Sequence, residues 1–397
     1  MDTGQRAAGG RTADGGARPG ERCAVPAAGA RTAVLESVAG WVPGEPVGND
    51  RLPADWGVDD AWVRRRTGIG SRHRAGPDVA TGDLAYEAAS RLLADAPATG
   101  AVDAVLLATA TPDHPCPGTA PALAARLGLG TLPALDIAAV CSGFVYGLAV
   151  SHGLVASGLF ERVLLVGADV YSTWLDPDDR SAGVVFGDGA GAALVAAGRV
   201  GDPGELLAFD LGSDGTGYDL ITVPGGGSRA RAGGRPPEPR DAYFRMRGST
   251  VYQHAVERMT GSCRALLDRI GWDPGDVDRF VPHQANARIL SAVADRVGIA
   301  PQRCVTQVER VGNTGAASIP LALADAAGRG VLRGGDRVLL TAFGGGLTWG
   351  SAALRWPGTP NTNRTATNST ATNSTDMNRT DTNSTDTTEG TQHVSAR

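Results

Sequence analysis

The feature that most constrains this chain is a repeat of itself. Val102-Asp-Ala-Val matches Val277-Asp-Arg-Phe, and Arg162-Val-Leu-Leu matches Arg337-Val-Leu-Leu, both 175 positions apart (102 to 277, 162 to 337). Each matched segment is a short apolar run bounded by Gly, Asp or Pro, which is the pattern of a strand buried on both faces. Helical spacing fills the intervals at 84–93, 142–157, 251–269 and 287–297. Strands alternating with helices predict parallel βαβ units covered on both faces. The shared offset therefore predicts a duplicated α/β fold, with halves at 32–200 and 201–356 facing each other across a pseudo-twofold axis.

Outside those halves the composition changes. Residues 1–31 are Gly, Ala and Arg without a hydrophobic period, and 357–397 are mostly Asn, Thr, Ser and Asp repeating every five residues. Neither can bury a core, so both are expected to be disordered. N-x-[ST] triplets begin at Asn363, Asn368, Asn373, Asn378 and Asn383. With no apolar signal segment at the N-terminus, a low-complexity repeat is preferred over glycosylation.

All 37 basic residues are Arg. Lysine Schiff-base chemistry and a GK[ST] phosphate loop are thereby excluded. A net charge of −5 without arginine clusters argues against nucleic acid as a partner. The five cysteines are scattered, with no C-x-x-C, so neither a disulfide framework nor a metal site is expected. Segment 137–160 has no formal charge, yet its four glycines and His152 suit a closely packed buried helix, not a membrane span. The expectation is a soluble, cytoplasmic protein.

Four places carry candidate chemistry. Cys141 lies where an apolar strand turns into a small-residue helix, and a helix N-terminus lowers a thiol pKa from about 8.5. His283, in Val281-Pro-His-Gln-Ala-Asn286, follows a strand ending at Val281, where α/β proteins build their sites. Asn313 stands in a Gly-rich turn that the 175 offset places opposite the Cys141 elbow. Three glycines at 344–346, after a strand over 337–340, permit the close backbone approach an oxyanion hole needs. Each also has a structural reading: a core cysteine, a solvated histidine, a left-handed Asn, a tight turn. The Gly-rich segment at 187–191 reads as a turn between two paired strands, and 224–239 as a surface loop.

Together these residues resemble β-ketoacyl-ACP synthase III, a condensing enzyme of the thiolase fold. The resemblance rests on Trp62-Val-Arg-Arg-Arg-Thr-Gly-Ile, Asp136-Ile-Ala-Ala-Val-Cys-Ser-Gly-Phe, Phe186-Gly-Asp-Gly-Ala-Gly, His283-Gln-Ala-Asn, Gly312-Asn-Thr-Gly-Ala-Ala-Ser and Phe343-Gly-Gly-Gly-Leu-Thr-Trp-Gly. Segments 111–117 and 175–180 look similar to priming ketosynthases of aromatic (type II) polyketide pathways.

The resemblance implies a layered α-β-α-β-α core and a Cys141–His283–Asn313 site. Cys141 would take an acyl group from acyl-CoA, with the N–H groups of Cys141 and Gly345 as oxyanion hole. His283 and Asn313 would hold the thioester carbonyl of malonyl-ACP during decarboxylation, and Phe343 would shield the departing carboxylate. Trp62, Arg66 and Arg180 would bind CoA, and Asn286 would support the site through water. Cys116 would border the acyl pocket from a partner subunit, its small side chain hinting at a starter longer than acetyl. Arg288 and Arg296 would dock the acyl carrier protein. A homodimer without cofactor is implied, acyl-CoA and malonyl-ACP being substrates. Acyl transfer to a hydroxyl or amine without condensation is the alternative on this fold. A papain-like protease lacks its local signature and leaves the repeat unexplained, while a silent scaffold leaves the intact Cys, His and Asn unexplained.

Overall fold

The computed structural model describes residues 29–95, 101–232 and 238–357. The expectations for 1–28 and 358–397 lie outside the described residues. The frame consists of strands β1 (Arg31–Trp41), β2 (Ala104–Ala108), β3 (Ala134–Ile137), β4 (Arg162–Asp169), β5 (Gly189–Arg199), β6 (Leu206–Ser213), β7 (Arg279–Pro282), β8 (Arg337–Gly344) and β9 (Thr348–Arg355). The main helices are α1 (Asp60–Thr67), α2 (Thr81–Asp95), α3 (Ala120–Arg126), α4 (Gly143–Ala156), α5 (Gly248–Ile270), α6 (Ala287–Val297) and α7 (Ser318–Gly328). The ends of α6 follow from its caps. Asn286 accepts the Arg288 N–H at one end, and Gly298 takes the left-handed conformation (φ 92°) at the other.

The duplication is present strand by strand. The first sheet has the order β3-β2-β4-β5-β1, and the second β7-β8-β9-β6. Cys304 bridges in parallel to Phe280 beside β7, in the place that β3 holds next to β2. β4 and β8 keep the 175 offset from end to end, 162–169 against 337–344. Two differences from the sequence expectation appear. β2 pairs in parallel with β3 and β4, and β7 with β8, but β4–β5, β5–β1, β8–β9 and β9–β6 are antiparallel. The link 345–347 between β8 and β9 is too short for a parallel crossover. In addition, β8 runs on past residue 340 to Gly344, so Phe343 and Gly344 are strand residues. The Gly-rich segment also differs: Gly189 and Gly191 lie within β5, where a side chain at 191 would meet Pro320 Cβ at 2.7 Å.

Side-chain alternation builds the layers. On the first sheet, Leu106 and Leu165 point inward to Phe144 and Leu148 of α4 and Ile319 and Leu323 of α7. Val105, Leu107, Leu164 and Val166 point the other way, onto Leu84, Ala88 and Leu92 of α2. The second sheet places Val281, Val338 and Leu340 on the central layer, with Phe280, Leu339 and Ala353 against α5 and α6. The order is helix, sheet, helix pair, sheet, helix. Among the described residues no helix is long and apolar enough to cross a membrane.

Helices α4 and α7 begin alike. A 3-10 turn at Val140–Ser142 leads into α4, and one at Gly315–Ala317 leads into α7, again 175 apart. The first residue of each turn is left-handed, Val140 at φ 48° and Gly315 at φ 58°. A β-branched residue in that region is strained, and it immediately precedes Cys141.

Candidate active site

A cavity of about 670 Å³ reaches from the surface to the start of α4. Cys141, His283, Asn313 and Phe343 line its inner part, and Trp62, Arg66, Asn286 and Arg288 line its mouth. Three connections deliver the inner groups. Cys141 sits on the turn after β3, His283 directly after β7, and Asn313 just before the second turn. The Asn313 main chain is held to the first half, its N–H on Val185 O and its carbonyl accepting from Gly187 N–H, both at 2.9 Å.

The thiol departs from the sequence expectation. Burial pushes Cys141 up to about 12, and the nearby Asp169 carboxylate adds to the rise. Desolvation of a thiolate outweighs the helix N-terminus here. Tyr171 is fully buried, with Oη 3.9 Å from Cys141 Sγ. Its ring stacks on Phe186 (4.6 Å) and meets Phe244 edge-on (5.7 Å), closing the inner end with aromatic carbon.

The two polar groups opposite are neutral donors. Burial pulls His283 down to about 3, so its imidazole is uncharged. Nδ1 lies 2.6 Å from Ser318 Oγ, and that oxygen already accepts the Gln284 N–H at 3.2 Å. Where the hydroxyl donates to Nδ1, the ring hydrogen sits on Nε2, the nitrogen away from Ser318. Asn313 Oδ1 accepts the Gly315 N–H at 3.0 Å, which leaves Nδ2 as the group to offer the cavity. Gln284 is consumed structurally, bonding Pro282 O, Val305 O and the N–H groups of Gln307 and Val308.

Gly345 opens the β8–β9 turn. Thr348 Oγ1 lies 3.1 Å from the carbonyls of both Gly345 and Ala139 and 2.7 Å from Ser142 Oγ, which pins this turn to the cysteine elbow. At the mouth, the Trp62 indole has Arg66 over its ring at 4.6 Å and Arg180 at 5.7 Å. Asn286 caps α6 and also approaches Arg66 O at 3.4 Å. Arg288 and Arg296 are exposed on α6. Cys116 is exposed and does not line the cavity. The sequence reading missed Tyr171, Asp169 and Ser318. Only the offset could have flagged one of them, since it pairs Asp169 with Gly344 of the triple-glycine segment.

Family models for 3-oxoacyl-[acyl-carrier-protein (ACP)] synthase III match residues 135–215, and for its C-terminal part residues 267–356. A β-ketoacyl-[acyl-carrier-protein] synthase III of Streptomyces coelicolor is 57% identical over 324 residues, covering 82% of this chain and 97% of that protein. The chain belongs to the 3-oxoacyl-ACP synthase III family. The crystal structure of the synthase III of Pseudomonas aeruginosa PAO1 aligns with a TM-score of 0.76 at 49% identity, covering 82% of this chain and 98% of that one. A priming β-ketosynthase from a polyketide biosynthetic pathway aligns at TM-score 0.75 and 30% identity, covering 84% and 99%. As a synthase III this chain has the thiolase-like fold and is an acyl-transferring, condensing enzyme.

Proposed function

We propose that this synthase III condenses an acyl-CoA starter with malonyl-ACP through an acyl-Cys141 intermediate, giving a 3-ketoacyl-ACP that begins a fatty-acid or polyketide chain. Cys141 sulfur attacks the thioester carbonyl, the new S–C bond forms, and CoA leaves with the thiol proton. The N–H groups of Cys141 and Gly345 hold the carbonyl oxygen as it becomes negative. Malonyl-ACP then loses CO₂, and the electron pair of the broken C–C bond becomes an enolate. His283 Nε2–H and Asn313 Nδ2–H donate to its oxygen, while Phe343 keeps the departing carboxylate dry. The enolate carbon attacks the acyl group, and Cys141 leaves and recovers a proton. No electrons enter or leave, so the scheme uses no redox cofactor.

The observation that carries this reading is that Cys141, His283 and Asn313 converge at the inner end of one cavity, with His283 buried there. A buried uncharged donor stabilises charge that exists only in the enolate and the transition state before it, without binding the starting carboxylate. At the mouth, Trp62 between Arg66 and Arg180 suits the adenine and phosphates of CoA. Asn286 supports the donors through water, and Arg288 and Arg296 present cations to an acidic carrier protein. We also infer a cytoplasmic homodimer, with Cys116 bordering the partner's acyl pocket. β3 is an edge strand whose Leu135 is 47% exposed, as expected of a strand that pairs with a second copy.

The test is the intact mass of the protein after incubation with a panel of acyl-CoAs, beside Cys141→Ala. Adduct on wild type alone identifies the nucleophile, and the heaviest adduct names the starter. Malonyl-ACP should then discharge it as a 3-ketoacyl product. Discharge onto a hydroxyl or amine acceptor instead would favour plain acyl transfer, and no adduct from any acyl-CoA would overturn the reading.

A further inference from the structure

The pseudo-twofold pairs Cys141 with Ala316, Val140 with Gly315, and Asp169 at the end of β4 with Gly344 at the end of β8, each 175 apart. At the second-half turn the position facing the backbone N–H is filled. Asp169 Oδ2 accepts the Ala316 N–H at 2.7 Å, and its other oxygen takes Ala110 N–H at 2.7 Å and Thr109 Oγ1 at 3.1 Å. At the first-half turn the corresponding strand end is glycine. A Cβ on Gly344 would lie 2.8 Å from Cys141 N and 3.1 Å from Ser142 N. The neighbours are exchanged in the same sense. In the second half Gly315 has no side chain, and a Cβ there would collide with Asp169 Oδ2 and the Tyr171 ring. In the first half Val140 carries the side chain, and glycine stands at 344 and at 346, the counterpart of Tyr171.

We propose that Gly344 is a positioning residue for acyl transfer. By carrying no side chain, it keeps open at the Cys141 N–H the anion position that the Asp169 carboxylate fills at its twin. The thioester oxygen, negative while the Sγ–C bond forms and before the bond to CoA sulfur breaks, occupies in one half the place a protein carboxylate occupies in the other. This rests on the acyl-transfer reading of Cys141 and adds the residue that reserves its oxyanion site.

Two rates on the same folded sample test it. Acylation of Cys141 by acyl-CoA develops an oxyanion, whereas alkylation by iodoacetamide is a displacement that develops none there. Gly344→Ala should slow acylation by about 100-fold or more and leave alkylation within about threefold. Equal losses in both rates, or unchanged acylation, would overturn the proposal. Wild type that takes no acyl group would instead overturn the functional reading. The twin site gives a second test that does not need G344A to fold. Asp169→Gly removes the built-in carboxylate, and added formate should raise its melting temperature while leaving wild type unmoved. A melting temperature of D169G indifferent to formate would overturn the equivalence of the two sites.

Discussion

The mouth and the inner end of the cavity are made of opposite materials. Trp62, Arg66, Arg180 and Arg288 surround the mouth with an indole and three cations. The inner end is lined by a protonated thiol, a neutral imidazole, an amide and the rings of Tyr171, Phe186 and Phe244, with the Asp169 carboxyl behind them. Cations in water hold a large polar ligand without acting on its reacting bond. Neutral donors in a dry pocket act weakly on a neutral thioester and strongly on an enolate. Binding and chemistry are thus separated along one cavity.

Substitutions at four residues break or sharpen that separation. The largest effect is expected from His283→Ala, which should cut condensation by about 10²–10³-fold while Cys141 acylation stays within a few-fold. Rapid-quench rates of the two half-reactions would show this. With the wild-type histidine neutral down to about 3, condensation should show no histidine titration between pH 6 and pH 8. The linked stability has a definite sign. The unfolded His283 takes a proton below about 6.5 and the folded one does not, so stability falls as pH drops from about 6.5 toward 3, and less so in the variant.

Tyr171→Ala comes next. Loss of the ring should deepen the inner end, shift the preferred acyl-CoA in the mass assay toward longer chains and cost about 3–5 kcal/mol in denaturant melts. Tyr171→Phe should keep the wild-type chain length. Trp62→Ala acts only at the mouth. It should raise KM for acyl-CoA about tenfold with kcat within about twofold, and leave acyl-pantetheine, which lacks the nucleotide, unaffected. Arg296→Ala should be smallest, raising KM for the carrier protein about twofold in low salt and less in high salt.

Much of this was legible in the sequence because duplication leaves a periodic mark. The 175 offset located β2, β4, β7 and β8; His283 follows the end of β7, and Cys141 and Asn313 lie at the two turns that the same offset pairs, all three lining one cavity. Strand direction was not legible, because a run buried on both faces, such as β4, has the same pattern beside a parallel or an antiparallel neighbour. The thiol was misjudged because a helix start is visible in sequence, whereas the burial that outweighs it is a property of the packed whole. Asp169 and Tyr171 escaped for a related reason: nothing local says that a carboxyl after an apolar strand accepts four hydrogen bonds, or that a tyrosine lies against the nucleophile.

The high resting position of the Cys141 thiol bears on oxidants as well as on acyl groups. Peroxide reacts with thiolates, and a buried sulfur held protonated to about 12 offers almost none at neutral pH. The same desolvation that delays its ionisation should therefore slow sulfenic acid formation between turnovers.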